Sequence, residues 1–349
     1  MNYTSGSPGL LADSLEALYC LTRFRLPGLS RLGEFGTALE ERLDSYPNRS
    51  LGAYFPDGNA GIARLLVSHL IPETVDARDM NSIVDARFDY ARLDEGKSPV
   101  RLRLNSTVVH VKEKNGGHPV EVTYVRGGKA QQVKARHCVL ACYNRVIPYL
   151  CPELPEPQKE ALADGVKVPL ISSTVMLRTG DPLLDMNSAY FYSPTHTHNE
   201  TMGIGRKLGS YNDTLEPGQP TALFMIGAFL KPHTGLAPRE QFRAGRARLL
   251  STSFETLALE IKTHLSEMLA PGGFDADRDI VGLTINRWPH GYSYVYRSNF
   301  DPDYPAGEAP HEIGRQRFGN IAIANSDAGA NPMANEAVDQ AYRAVHELL

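Results

Sequence analysis

IAIANSDAGANPMANEAVDQAYRAV, from Ile321 to Val345, is the stretch whose parsing decides the fold. Its apolar run from Ile321 to Ala324 spells a short buried strand. That strand meets a lone acid, Asp327, and then the small residues Ala328, Gly329 and Ala330. Small residues at a strand end let a ligand come close to the backbone. From Ala334 or Asn335 the apolar positions recur at helical spacing, so a helix aims its free N–H groups and positive end back at the turn. That end suits an electron-rich carbonyl or a phosphate, and the Asp327 carboxylate suits the hydroxyls of a sugar or polyol. The same grammar also fits an ordinary strand–turn–helix in which Asp327 is only a turn residue.

Working outward, the segment from Arg101 to Ala141 has period two: RLRLNSTVVHV, a turn at Gly116 and Gly117, VEVTYV, a turn at Gly127 and Gly128, then QQVKARHCVLA. Three strands joined by hairpin turns predict a small antiparallel meander ending in a buried strand. The final strand, Asn320 to Ala324, is expected to return to this meander and touch it. CPELPEP, Cys151 to Pro157, marks a change of region. Beyond it strands are expected at Leu170 to Leu177, Ala189 to Tyr192, Ala222 to Leu230 and Ile280 to Trp288. Between the last two, Arg239 to Leu269 reads as a long helical segment. Its second half opens with Thr252 and Glu255 as a capping box and lines Phe254, Leu257, Ile261, Leu265 and Met268 on one face. Towards the start, residues 10 to 45 predict short helices. Tyr54 to Pro72 predicts an amphipathic helix with Ile62, Leu65, Leu66 and Leu70 on one side. The organisation expected is a first region over 1–155, a mixed-sheet α/β domain over 156–288, and a return to the first region over 289–349.

A chain of 349 residues that is 42% hydrophobic can bury the cores of two domains. Lys plus Arg is 36 against 40 for Asp plus Glu, a net charge of −4 with no polybasic tract, which argues against a nucleic-acid partner. No window is long and apolar enough to span a bilayer and no leader pattern opens the chain, so no membrane partner and a cytoplasmic location are expected. Cys20, Cys138, Cys142 and Cys151 lack CxxC spacing and read as reduced thiols. His196 and His198 share one side of a strand pattern but have no Cys or acid at ligand spacing, so no metal is expected. GIGRKLG, Gly203 to Gly209, has the wrong spacing for a dinucleotide fingerprint and reads as a flexible loop.

SDAGANPMANEAVDQAYRAV resembles the last flavin-contacting segment of the FAD-dependent amine oxidase superfamily. In the family's order, LNSTVVHV and HCVLACYNRVIP resemble the middle FAD-domain segment. GVKVPLISSTVMLR resembles the first substrate-domain strand, and NRWPHGYSY the aromatic strand beside the flavin. WPHGY and NSDAGA are most similar to spermidine dehydrogenase-like bacterial flavoproteins. The resemblance implies an α/β fold: an incomplete FAD/NAD(P)-binding, Rossmann-like domain with a β-meander, plus the mixed-sheet substrate domain. It implies that Asp327 holds the ribityl chain, with Val108, Ser326, Ala328, Gly329, Met333, Ala334 and Asn335 as further FAD contacts. Met333 stands where relatives often place a second aromatic.

The chemistry implied is hydride transfer from the carbon beside an amine nitrogen to flavin N5, on a small-molecule amine of polyamine type. Lys167, or else Arg178, would stand near N5. Trp288 and Tyr292 would wall the amine through cation–π contact, although two aromatics in a half-buried strand also read as plain packing. No strand–GxGxxG–helix unit stands in the sequence, so the chain reads as the C-terminal portion of a longer flavoprotein. FAD is then expected to be weakly held or absent, and uncovered apolar surface to favour self-association. Two further readings stay open: a related flavoprotein desaturase, and a non-catalytic fragment or subunit without cofactor.

Overall fold

The computed structural model describes Thr37, residues 55–114, 119–184, Met186, 190–192, 201–204, 215–232, 234–297 and 299–349. The short helices expected within residues 10 to 45 therefore lie outside the described residues apart from Thr37, as do Cys20, His196, His198 and most of GIGRKLG. In chain order the main elements are α1 (Asn59–Leu70), β1 (Thr107–Glu113), β2 (Val120–Arg126), β3 (Lys129–Ala135), β4 (Cys138–Leu140) and α2 (Glu156–Asp164). Next come β5 (Leu170–Leu177), β6 (Tyr190–Tyr192), β7 (Thr201–Ile204), β8 (Thr221–Ala228), α3 (Pro238–Ser251) and α4 (Phe254–Leu269). The chain closes with β9 (Ile280–Trp288), β10 (Ile321–Ile323) and α5 (Ala334–Leu348). Among the described residues no helix is long and apolar enough to cross a membrane.

The chain divides into two compact units. One holds Met1–Tyr90 with Pro169–His290, the other Ala91–Val168 with Gly291–Leu349. Residues 55–90 build a small core of Val75, Ala77 and Ile83 packed by Leu65, Ala86 and Phe88. The inward positions of α1 are small or polar. Gly61 and Ser68 are buried while Leu66 and Leu70 are exposed. Ser68 can face inward because its hydroxyl donates to the Leu65 carbonyl at 2.9 Å.

In the first unit five strands run in the order β6-β7-β8-β5-β9. Each pair is antiparallel. The central strand β5 places Val175 between Leu223 and Leu283. Val175, Leu177, Met202, Leu223 and Met225 bury one face of the sheet against Ile261, Leu265 and Leu269 of α4. The long helical segment is two helices, because Thr252 takes an extended conformation and ends the first. Ser253, not Thr252, caps α4: its hydroxyl oxygen accepts from the Thr256 N–H at 3.2 Å. Thr252 instead turns its hydroxyl back to the Arg248 carbonyl at 2.8 Å.

The second unit holds the meander, β1-β2-β3, antiparallel throughout with a bulge between Val108 and His110. What the sequence reads as one third strand is two. β3 ends at Ala135, and after Arg136 and His137 the chain leaves the meander so that β4 pairs in parallel with β10. Ile321 sits beside Cys138, Ala322 beside Val139 and Ile323 beside Leu140. Alternation then gives β10 two buried faces. Ile321 and Ile323 pack with Val111, Val120 and Leu140, so the meander and the final strand share a core. Ala322 and Ala324 pack against Ala344 of α5. The class is α/β, with parallel and antiparallel pairings in separate sheets. Burial pushes the Cys138 thiol up to about 11 and the Cys151 thiol up to about 12, so both are protonated near neutral pH.

Candidate functional site

Both strands of a parallel pair end on the same side, so the turns after β4 and β10 come together at their carboxyl ends, the usual place for a ligand in α/β sheets. After β4 the chain runs through Cys142, Tyr143 and Asn144, and after β10 through Asn325, Ser326 and Asp327. Asn325 joins the two turns. Its amide nitrogen donates to the Cys142 carbonyl and to Asn144 Oδ1, the latter at 2.9 Å, while its Oδ1 accepts from the Ala328 N–H at 2.8 Å.

Asp327 stands at the centre of this junction. Its Oδ2 accepts from the Asn144 N–H at 3.2 Å, and its Oδ1 lies 2.8 Å from Lys167 Nζ. The two charged side chains are 10% and 13% exposed. Lys167 reaches this place because the segment before β5 is clamped to residues 291–292: Gly291 N–H donates to the Val168 carbonyl at 2.8 Å and Val168 N–H to the Tyr292 carbonyl at 3.0 Å. The same clamp brings Ser293, 2% exposed, to 3.5 Å from Lys167 Nζ and to 2.7 Å from Ser326 Oγ. The ammonium also lies over the Tyr143 ring, 5.2 Å from its centroid. The result is a shielded cation with a carboxylate, a hydroxyl and an aromatic face as neighbours.

The turn after Asp327 is a single 3₁₀ turn, Asp327–Gly329, closed by Ala330 N–H donating to the Asp327 carbonyl at 3.0 Å. Ala330 takes a left-handed φ of 49°, costly for a residue with a Cβ. Gly329 lies directly beneath the Glu336 carboxylate, where a Cβ would collide with it. A small cavity beside Asp327, bordered also by Asn144, Gly165, Tyr294, Tyr296 and His311, measures about 20 Å³, the scale of one water. Burial there pushes the His311 imidazole below its usual value, which keeps it neutral.

Among the expected site residues, Lys167, Ser326 and Asp327 are brought together, and Ala328 and Gly329 form the turn beside them. Val108 is on β1 opposite Tyr124, in the same unit as Asp327 and 37% exposed. Met333 precedes α5 and is half exposed, with Ala334 and Asn335 exposed in the first helical turn. Trp288 ends β9 opposite Leu170 in the first unit, whereas Tyr292 belongs to the second. Burial raises the Tyr292 hydroxyl above its usual range. Arg178 is engaged elsewhere: its N–H donates to the Asp279 carbonyl at 2.8 Å and its Nε to the Arg278 carbonyl at 3.2 Å. Asn144, Asn325 and Ser293 are not among the expected site residues. The signal for the two asparagines was an amide shortly after each of two buried strands.

The resemblance implies FAD, and these residues test it. Glu336 covers Gly329, and the cavity of about 20 Å³ beside Asp327 does not admit three fused rings. As arranged, the residues do not fit the flavin.

No protein-family model matches the chain, and no curated protein does. Among solved structures it is similar to cyclohexylamine oxidase from Brevibacterium oxydans IH-35A at 11% identity, with a TM-score of 0.48 over 69% of this chain and 47% of that one. It is also similar to a cofactor-binding redesign of putrescine oxidase at 16% identity, with a TM-score of 0.49 over 72% of this chain and 49% of that one. A third is wild-type putrescine oxidase bound to putrescine, at 16% identity and a TM-score of 0.46 over 70% and 48% of the two chains. The chain thus spans about half the length of the solved structures it matches.

Proposed function

We propose that these residues form part of a flavin-dependent amine oxidoreductase of the polyamine dehydrogenase type. The observation that carries this reading is the place of Asp327, at the shared carboxyl end of β4 and β10 and 2.8 Å from Lys167. That is where the resemblance of the NSDAGA segment asks for an acid that accepts ribityl hydroxyls. The reaction class is hydride removal from the carbon beside an amine nitrogen, chemistry that FAD itself supplies. No step is assigned to these side chains through FAD, because as arranged they do not admit its ring.

A second reading, a non-catalytic fragment or subunit without cofactor, is favoured by the small space beside Asp327, a cavity of about 20 Å³. Titrating the purified 349-residue chain with FAD separates the two. Under the first reading the chain is colourless after desalting yet quenches FAD fluorescence weakly, and Asp327→Ala abolishes the quenching. No quenching at all would favour the fragment or subunit without cofactor. A yellow protein that keeps stoichiometric flavin through desalting, and that a polyamine bleaches without oxygen, would support the enzyme and overturn the misfit described above.

A further inference from the structure

A cavity of about 140 Å³ lies between the loop that follows β8 and one face of α3. It belongs to the first unit, whereas Lys167 and Asp327 belong to the second. Its helical wall is Gln241, Ala244, Gly245 and Arg248, spaced three, one and three apart, which is one side of a helix. Ala244 and Gly245 carry almost no side chain, and that leaves the space open. The other wall is the loop itself, with Lys231, Thr234 and Leu236. Gln241 ties this loop to the helix: its Nε2 donates to the Leu236 carbonyl at 2.7 Å, while Leu236 N–H donates to Thr234 Oγ1 at 3.4 Å.

Two cations and, among the described residues, no acid line the cavity. Arg248 is the unusual one. Its guanidinium lies over the buried Phe229 ring, 4.7 Å from the centroid, and its Nε and Nη2 are shut away from solvent with no hydrogen-bond partner. Burial pulls the guanidinium below its usual value, and the Glu260 charge opposes this. Buried donors on a charged group are ordinarily paired, because losing water without a replacement is costly. Nε and Nη2 also share one edge of the planar fork, an edge that can hold a carboxylate by two parallel bonds. Turning that edge toward the cavity breaks no hydrogen bond, since neither donor makes one.

Size and lining select the ligand. An apolar space near 150 Å³ takes a benzene-sized body, and Leu236, Ala244 and Gly245 offer such walls. A bare inorganic anion would surrender hydration to these walls without return. We propose that this cavity binds a small organic acid, with its carboxylate on Arg248, the exposed Lys231 beside it, and its apolar body against Leu236 and Ala244.

Benzoate is the probe. Melting of the purified chain is followed at constant ionic strength with benzoate, with benzyl alcohol, which has the body without the charge, and with phosphate, which has the charge without the body. Benzoate is expected to raise the melting temperature and to bind about tenfold or more tightly than either control. Arg248→Met keeps an apolar stem over Phe229 but removes the charge, and is expected to weaken benzoate binding about tenfold or more. Ala244→Leu, at an exposed helix position, keeps both cations but fills the space, and is expected to abolish binding. Circular dichroism shows whether each variant folds; if Arg248→Met does not, Ala244→Leu decides alone. No shift with benzoate, equal binding of either control, or a benzoate affinity that a folded variant leaves unchanged would overturn the proposal.

Discussion

Lys167 and Asp327 form an ion pair at 2.8 Å, about nine-tenths shielded from solvent on both sides. Removing two charges from water costs several kcal/mol each, so such a pair adds little net stability, yet breaking it strands a charge. Lys167→Met leaves Asp327 with only the Asn144 N–H as partner, and the expected loss is about 3 kcal/mol of unfolding free energy in urea. Replacing both, as Lys167→Met with Asp327→Leu, is expected to recover most of it. A double variant no more stable than the single one would show that the carboxylate's hydrogen bond, rather than the charge pair, holds the two turns together. Asn325 is the quieter counterpart, joining both turns through neutral hydrogen bonds that cost far less to bury.

At the scale of the element, two contacts in the first unit carry predictions. Asp279 sits where a short helix, Ala276–Asp279, runs into β9. The Arg278 guanidinium holds its carboxyl down to about 2, helped by the Asp275 N–H. A depressed carboxyl contributes stability that is complete above its unfolded value near 4 and disappears as pH falls through the folded value. The wild-type chain should therefore lose stability between about pH 5 and pH 2, on the order of 1 kcal/mol from this group once solvent screening of the exposed Arg278 is counted. Asp279→Asn should flatten that part of the acid profile in urea titrations. Gly245 is the second contact. It lies in α3, where alanine would ordinarily help a helix, but a Cβ there would collide with the Phe229 carbonyl and crowd Pro169 and Leu230. Gly245→Ala is accordingly expected to destabilise by about 1–3 kcal/mol, the cost of overpacking, and a thermal melt would show the direction.

At the scale of the molecule, the sequence by itself determined the elements whose signal is local. Period two marked the meander, strands were legible at Leu170 to Leu177 and Ile280 to Trp288, and helical spacing after a small-residue turn marked α5. Asp327 was legible as a candidate because a lone acid at the end of an apolar run is itself a local pattern. Tertiary structure alone decided the rest. Period could not tell that β4 leaves the meander, because its partner β10 lies more than 180 residues away and pairing energy depends on contacts, not on neighbours in sequence. It could not say that Lys167 rather than Arg178 meets Asp327, since that choice follows from the backbone clamp between Val168 and residues 291–292. Nor could it show that Ser68 faces inward while Leu66 and Leu70 face water, since a hydroxyl returned to its own helix lets a polar residue take a buried place. Local sequence sets which conformations a segment favours; which segments meet is settled by the burial and hydrogen bonding of distant parts of the chain.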